Sequence, residues 1–174
     1  MIQLVLSAVP IDEVPGRLAL ATFCEDVRPL KGSAALIDWR LNGRLSELIL
    51  KGQMQGGFAE SILMPAQGRL ASRELMVFGL GPIKELTEEK IQQAFAKAID
   101  KIVLLKSQEV VTCFGDLSKD FMGWRALLRN FMNTLSLQYG EKDLEVICAE
   151  EPKWINEARK RNMDFGPNVT LAYA

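Results

Sequence analysis

The chain has 174 residues, enough for one domain and too few for two comfortable ones. Lysine plus arginine number 21 and aspartate plus glutamate 22, a net charge of -1, so no basic field invites nucleic acid or an anionic membrane. There is no histidine, which removes Ser-His and Cys-His nucleophile pairs, HExxH metal sites and the commonest general base near neutral pH.

In chain order, strand-length apolar runs alternate with helical patterns. Strands are predicted at about Ile2–Val9, Arg17–Cys24, Glu60–Pro65, Glu74–Leu80, Glu109–Phe114 and Asp143–Ala149. LMVFGL and EVVTCF are apolar at consecutive positions, which marks strands covered on both faces. Lys31–Lys51 has two apolar stripes at helical spacing broken by Asn42-Gly43, so it predicts a helix, a kink and a second helix rather than a hairpin. Thr87–Lys106 carries Ile91, Phe95, Ile99 and Ile102 on one face, with Thr87 as the N-cap and a Leu86–Ile91 staple. A further helix is predicted from Phe121 to Tyr139, stopping at Gly140, and Pro152 opens a last one through about Asn162. Strands alternating with helices define an α/β fold with a mixed, largely parallel sheet between helical layers.

Three scattered cysteines, Cys24, Cys113 and Cys148, sit in or beside strand runs without a CxxC, so they predict small buried side chains in a reducing compartment. The amino terminus lacks the basic and apolar regions of a signal peptide, and no apolar run spans a bilayer. The expectation is a cytoplasmic protein with no metal and no cofactor.

Residues 30–65, LKGSAALIDWRLNGRLSELILKGQMQGGFAESILMP, show a small-residue helix, a glycine break, a second helix ending in Lys-Gly, and a glycine loop before a strand. Residues 75–99, LMVFGLGPIKELTEEKIQQAFAKAI, run a strand into Gly-Leu-Gly, a short linker and Leu-Thr before a helix. With the element order after residue 109, these stretches resemble the N-terminal domain of the leucyl aminopeptidases, peptidase family M17, over about residues 1–160. The resemblance implies a three-layer, macro-domain-like fold. It also implies that the family's two-metal peptidase chemistry belongs to a separate C-terminal domain, whose Asn-Thr-Asp-Ala-Glu-Gly-Arg type segment is absent here. No catalytic or metal residue carries over. The division that follows is 1–150 as the macro-like domain and 151–174 as a helix and tail resembling the inter-domain linker, with Asn162, Pro167 and Asn168 loosely matching its turn. By the resemblance, the chain ends where the catalytic half would begin.

Two loops are the candidate ligand site for a small, nucleotide-like anion: Gly56-Gly57, and Gly79-Leu80-Gly81 between a strand and a helix. The third glycine of GxGxxG is missing, acidic residues follow, and the Asn-Ala-Asn type segment of ADP-ribose-binding macro domains is not evident, so a tight structural turn competes with this reading. The candidate interface comprises Trp154, Ile155 and Phe165 in a tail that either folds back or forms a self-complementary contact. Trp39, Trp124 and Trp154 are expected to pack in the core or under helices, an exposed one pointing to a protein interface. Arg159-Lys160-Arg161 is expected to offset a helix dipole, and Arg125 and Arg129 to lie one turn apart facing solvent. The functional expectation is a non-catalytic interaction or regulatory domain that self-associates or docks a protein. The alternatives are a small-anion binding module and a fragment of a full metallo-aminopeptidase, inactive alone.

Overall fold

A computed structural model describes residues 1–139 and 142–174; the expected helix stop at Gly140 lies outside them. The strands are β1 (Ile2–Ser7), β2 (Gly16–Phe23), β3 (Ser61–Pro65), β4 (Ser72–Gly79), β5 (Glu109–Thr112), β6 (Leu144–Ala149) and β7 (Val169–Tyr173). They form one sheet in the order β3-β4-β2-β5-β6-β1-β7, parallel throughout except for the antiparallel β3–β4 pair. The helices are α1 (Gly32–Arg40), α2 (Arg44–Leu50), α3 (Glu88–Leu104), α4 (Gly115–Asp120), α5 (Trp124–Tyr139) and α6 (Pro152–Arg161).

The period-2 alternation of the central strands feeds two cores at once. Leu18 and Leu20 of β2, Met76 and Phe78 of β4, Val110 of β5 and Val146 of β6 face a core that includes Ile91, Phe95 and Ile99 of α3 and Leu128 and Phe131 of α5. Ala19 and Ala21, Leu75 and Val77, and Val111 face the opposite core, with Ile37 of α1 and Leu45 of α2. Both faces of the middle strands are therefore dry, as the uninterrupted apolar runs require. Phe95, Phe114 and Phe131 meet at ring-centroid distances of 5.1 to 5.7 Å and tie α3, the turn between β5 and α4, and α5 together.

The kink at Asn42-Gly43 is present, both residues having positive φ (55° and 76°). The buried Asp38 carboxylate accepts the N–H groups of Leu45 and Ser46, satisfying donors at the start of α2 that Gly43 cannot cap. Thr87 caps α3 through the Lys90 N–H at 3.1 Å, and Leu86 and Ile91 are both buried beside it.

Three local features differ from the sequence expectation. The helix expected from Phe121 starts at Trp124 instead, because the chain turns at Phe121–Gly123, and a separate short helix, α4, precedes that turn. The tail supplies a seventh strand: β7 pairs parallel with β1 from Ile2↔Val169 to Leu6↔Tyr173. It has folded back, burying Ile155, Met163 and Phe165 in the helical core, while Trp154 stacks on the buried Trp124 ring at 5.7 Å. Trp39 does not pack in the core; it is 69% exposed, with the Arg40 guanidinium 5.1 Å from its ring centroid. Helix α1 faces Ile37 inward, and at two residues' separation Trp39 cannot share that face.

Replacing Phe131 by alanine should cost about 3–5 kcal/mol, because it empties the centre of the three-ring cluster. Trp39→Ser should change stability by no more than about 0.5 kcal/mol. Urea unfolding of the two variants beside the parent checks the contrast.

Candidate functional site

The carboxyl ends of parallel strands leave backbone donors facing outward, and in open α/β sheets ligands gather there. Here those donors are met by the chain's own carboxylates. Glu150 follows β6 directly; its Oε1 accepts the Phe114 N–H at 2.6 Å and its Oε2 the Gly115 N–H at 2.9 Å. Asp116, in the first turn of α4, accepts the Ser33 N–H through Oδ2 at 2.7 Å and so bridges the β5–α4 turn to the start of α1. The bridge is tight, since a Cβ on Gly32 (φ 56°) would lie 2.3 Å from the Asp116 carboxyl carbon.

This bridge divides a trough along the sheet edge. One compartment, about 290 Å³, has Leu20, Phe23, Leu80 and Leu117 in its walls and Lys31 and Lys119 among its polar residues. The other, also about 290 Å³, runs from Val9 and Ile11 to Glu150 and Pro152. Gly32, Ser33, Cys113 and Asp116 line both.

Electrostatics at the divider suppress reactivity. Burial, then the Glu150 and Asp116 charges, push the Cys113 thiol far above its usual range, so it is a poor nucleophile. Burial pushes the Glu150 carboxyl up to about 6, against the lowering effect of its backbone donors. The Trp124 indole N–H also faces this carboxylate and favours its charged form, but makes no hydrogen bond of normal geometry. Among the described residues, no group of three or more Cys, Asp or Glu side chains is placed to hold a metal ion.

The structure brings the four candidate glycines together in a backbone junction beside this trough. Gly81 N–H donates to the Gly56 carbonyl at 2.9 Å, Gly79 N–H to the Glu60 carbonyl at 2.8 Å, and Gly56 N–H to the Glu60 carboxylate. A Cβ on Gly79 would sit 2.2 Å from the Gly57 carbonyl oxygen, so glycine is required there by the crossing of two chain segments. Three of the four N–H groups are thus occupied within the protein. Of the candidate interface residues, Ile155 and Phe165 are buried and Trp154 is half-buried beside Glu150 and Gly115. The sequence reading missed Ser33, Asp116 and Glu150; the available signal was an acidic residue immediately or soon after each of two strand ends.

A sheet of this order between two helical layers defines a macrodomain-like fold, and solved structures agree. The macro domain of ganglioside induced differentiation associated protein 2 superposes with a TM-score of 0.74 at 14% identity, over 97% of this chain and 86% of that one. The macrodomain of Mycobacterium tuberculosis DarG gives 0.68 at 10% identity, over 86% and 97%. An Oceanobacillus iheyensis macrodomain with ADP gives 0.65 at 13% identity, over 88% and 85%. The profile of the cytosol aminopeptidase family, N-terminal domain, matches residues 20–126, and the chain belongs to that family. Probable cytosol aminopeptidases of Clostridium perfringens and Thermosynechococcus vestitus are 30% identical over 97 residues and 33% over 96. Those matches cover 56% and 55% of this chain but only 19% of each relative.

Because the Glu150 pKa is raised in the folded state, its stabilising contribution is complete below about 4.5 and is lost as pH rises through about 6. Stability should therefore fall by roughly 2 kcal/mol across that window. In Glu150→Gln this segment of the pH–stability curve should flatten, as measured by denaturant unfolding at a series of pH values.

Proposed function

We propose that this domain is a non-catalytic, regulatory binding module that takes one compact ligand with an apolar body in the compartment walled by Leu20, Phe23, Leu80 and Leu117. The Ser33–Asp116 bridge carries the reading, because it limits a ligand to one half of the trough. A related fold from Oceanobacillus iheyensis is described with ADP. In this chain a diphosphate would meet the Asp116 and Glu150 carboxylates where it needs donors, since Ser33, Phe114 and Gly115 have already spent theirs. The suppressed Cys113 thiol and the lack of histidine support binding without turnover. The relatives' designation as cytosol aminopeptidases supports a cytoplasmic location. Among the described residues no helix is long and apolar enough to cross a membrane.

A thermal-shift panel of uncharged and singly charged metabolites tests this. A true ligand at a hundredfold excess over Kd should raise Tm by roughly 5–10 °C, while ADP leaves it unmoved. A wild-type shift with ADP would overturn the reading. So would metal-dependent hydrolysis of leucine amide that is lost on replacing one of the chain's own carboxylates.

A second reading, self-association through α1, is favoured by the exposed Trp39 indole, a residue type that concentrates binding energy at interfaces. Sedimentation equilibrium should then show a dimer that Trp39→Glu dissociates into folded monomers; a monomeric parent at high concentration refutes it.

A further inference from the structure

Strand β7 ends the sheet, with no strand beyond it among the described residues. The Ile2 N–H donates to the Asn168 carbonyl at 2.9 Å and the Ala174 N–H to the Leu6 carbonyl at 3.0 Å, so the even-numbered residues of this segment bond to β1. Alternation along the strand then turns the backbone groups of Val169, Leu171 and Tyr173 outward. The Val169 N–H is taken by the Gly166 carbonyl, which leaves the Leu171 and Tyr173 N–H groups and the three carbonyls facing away from the sheet. Proteins blunt such edges with charges, prolines or bulges; VTLAY has no charge or proline, and its register with β1 is unbroken.

The surroundings of this edge are basic. Arg159, Lys160 and Arg161 end α6, all exposed, and the Arg159 guanidinium lies 4.9 Å from the centroid of the Tyr173 ring. None of the three forms an ion pair with a described acidic side chain. Asp164 is the one acidic residue from Ala158 to Ala174, and its carboxylate already accepts the Gly166 N–H. A helix dipole is offset by about half a charge at its C-terminus, so three cations exceed what α6 needs.

We infer that β7 docks an extended acidic segment of a protein partner as an eighth strand. The Leu171 and Tyr173 N–H groups and the outward carbonyls supply the main-chain hydrogen bonds of strand addition. Val169, Leu171 and Tyr173 pack partly buried against the helical core, so the incoming strand adds apolar side chains beside Leu171 on that face. Acidic side chains on the same face meet Arg159 beside Tyr173. Charge selects this occupant over a second copy. Two β7 edges pairing antiparallel about a two-fold axis would hold both α6 helices on one face, where their unpaired cations repel. Arg159, Leu171 and Tyr173 line neither compartment of the trough, so this docking is independent of the ligand proposed there.

The test is an NMR titration of the full chain with the end-capped peptide Val-Thr-Val-Thr-Glu-Thr-Glu. It should shift the Leu171 and Tyr173 amide signals saturably and slow their exchange with solvent. The same peptide with lysine for both glutamates should bind about tenfold more weakly. So should the acidic peptide N-methylated at every residue, which has no main-chain N–H to donate. Arg159→Glu, at an exposed position, should weaken the acidic peptide about tenfold and leave amide signals far from β7 in place. Failure to saturate by about 5 mM acidic peptide overturns the proposal. Equal binding of the lysine or the N-methylated peptide overturns it too, as does an unchanged affinity in Arg159→Glu. A dimer in which the Leu171 and Tyr173 amides are protected without peptide would assign the edge to a second copy and overturn it as well.

Discussion

The carboxylate of Glu150 holding the Phe114 and Gly115 N–H groups is the contact on which the carboxyl edge of this sheet depends. It joins the end of β6 to the turn between β5 and α4, and a charge-assisted pair of this kind is roughly twice as strong as a neutral one. With that turn fixed, Asp116 stands where it meets Ser33, and the trough is divided. Burial first, and the same two carboxylates after it, keep Cys113 at the divider chemically quiet. A family resemblance alone would suggest an anion-receiving edge. The local chemistry makes it an edge whose anions are built in.

The sheet and its helices were legible because their signals are local or periodic. Val77, Val111 and Val146 lie in apolar runs without alternation, and each is in an interior strand. The helical stripe of Ile91, Phe95 and Ile99 and the capping threonine at position 87 needed only one helix to be read. Strand β7 was illegible because VTLAY is a short edge strand, mostly half-buried, whose identity comes from its neighbour β1. Helix α4 is six residues long with a polar sequence, too short for periodicity to register.

The site was harder for a different reason. Ser33, Asp116 and Glu150 come from three separate stretches, and no spacing between them has meaning until the sheet is assembled. The glycines were visible as special positions, but composition could not say what made them special. Gly79 and Gly56 could have faced a ligand; Gly79 faces the Gly56–Gly57 backbone and Gly56 faces the Phe23 ring. Trp39 shows the converse: an aromatic residue in a helical pattern reads as core, and only the phase set by Ile37 turns it outward.

The placement of β1 between β6 and β7 has a consequence for how the chain is made. During translation β1 finds both of its partners only after residues 144–149 and 169–173 have followed it. Until then the apolar positions Ile2, Leu4 and Leu6 have no sheet to join, whereas β2 can pair with β4 much sooner. Translation therefore leaves this apolar strand without its partners while residues 8–143 are made, the kind of delay that raises the risk of aggregation and the need for chaperones.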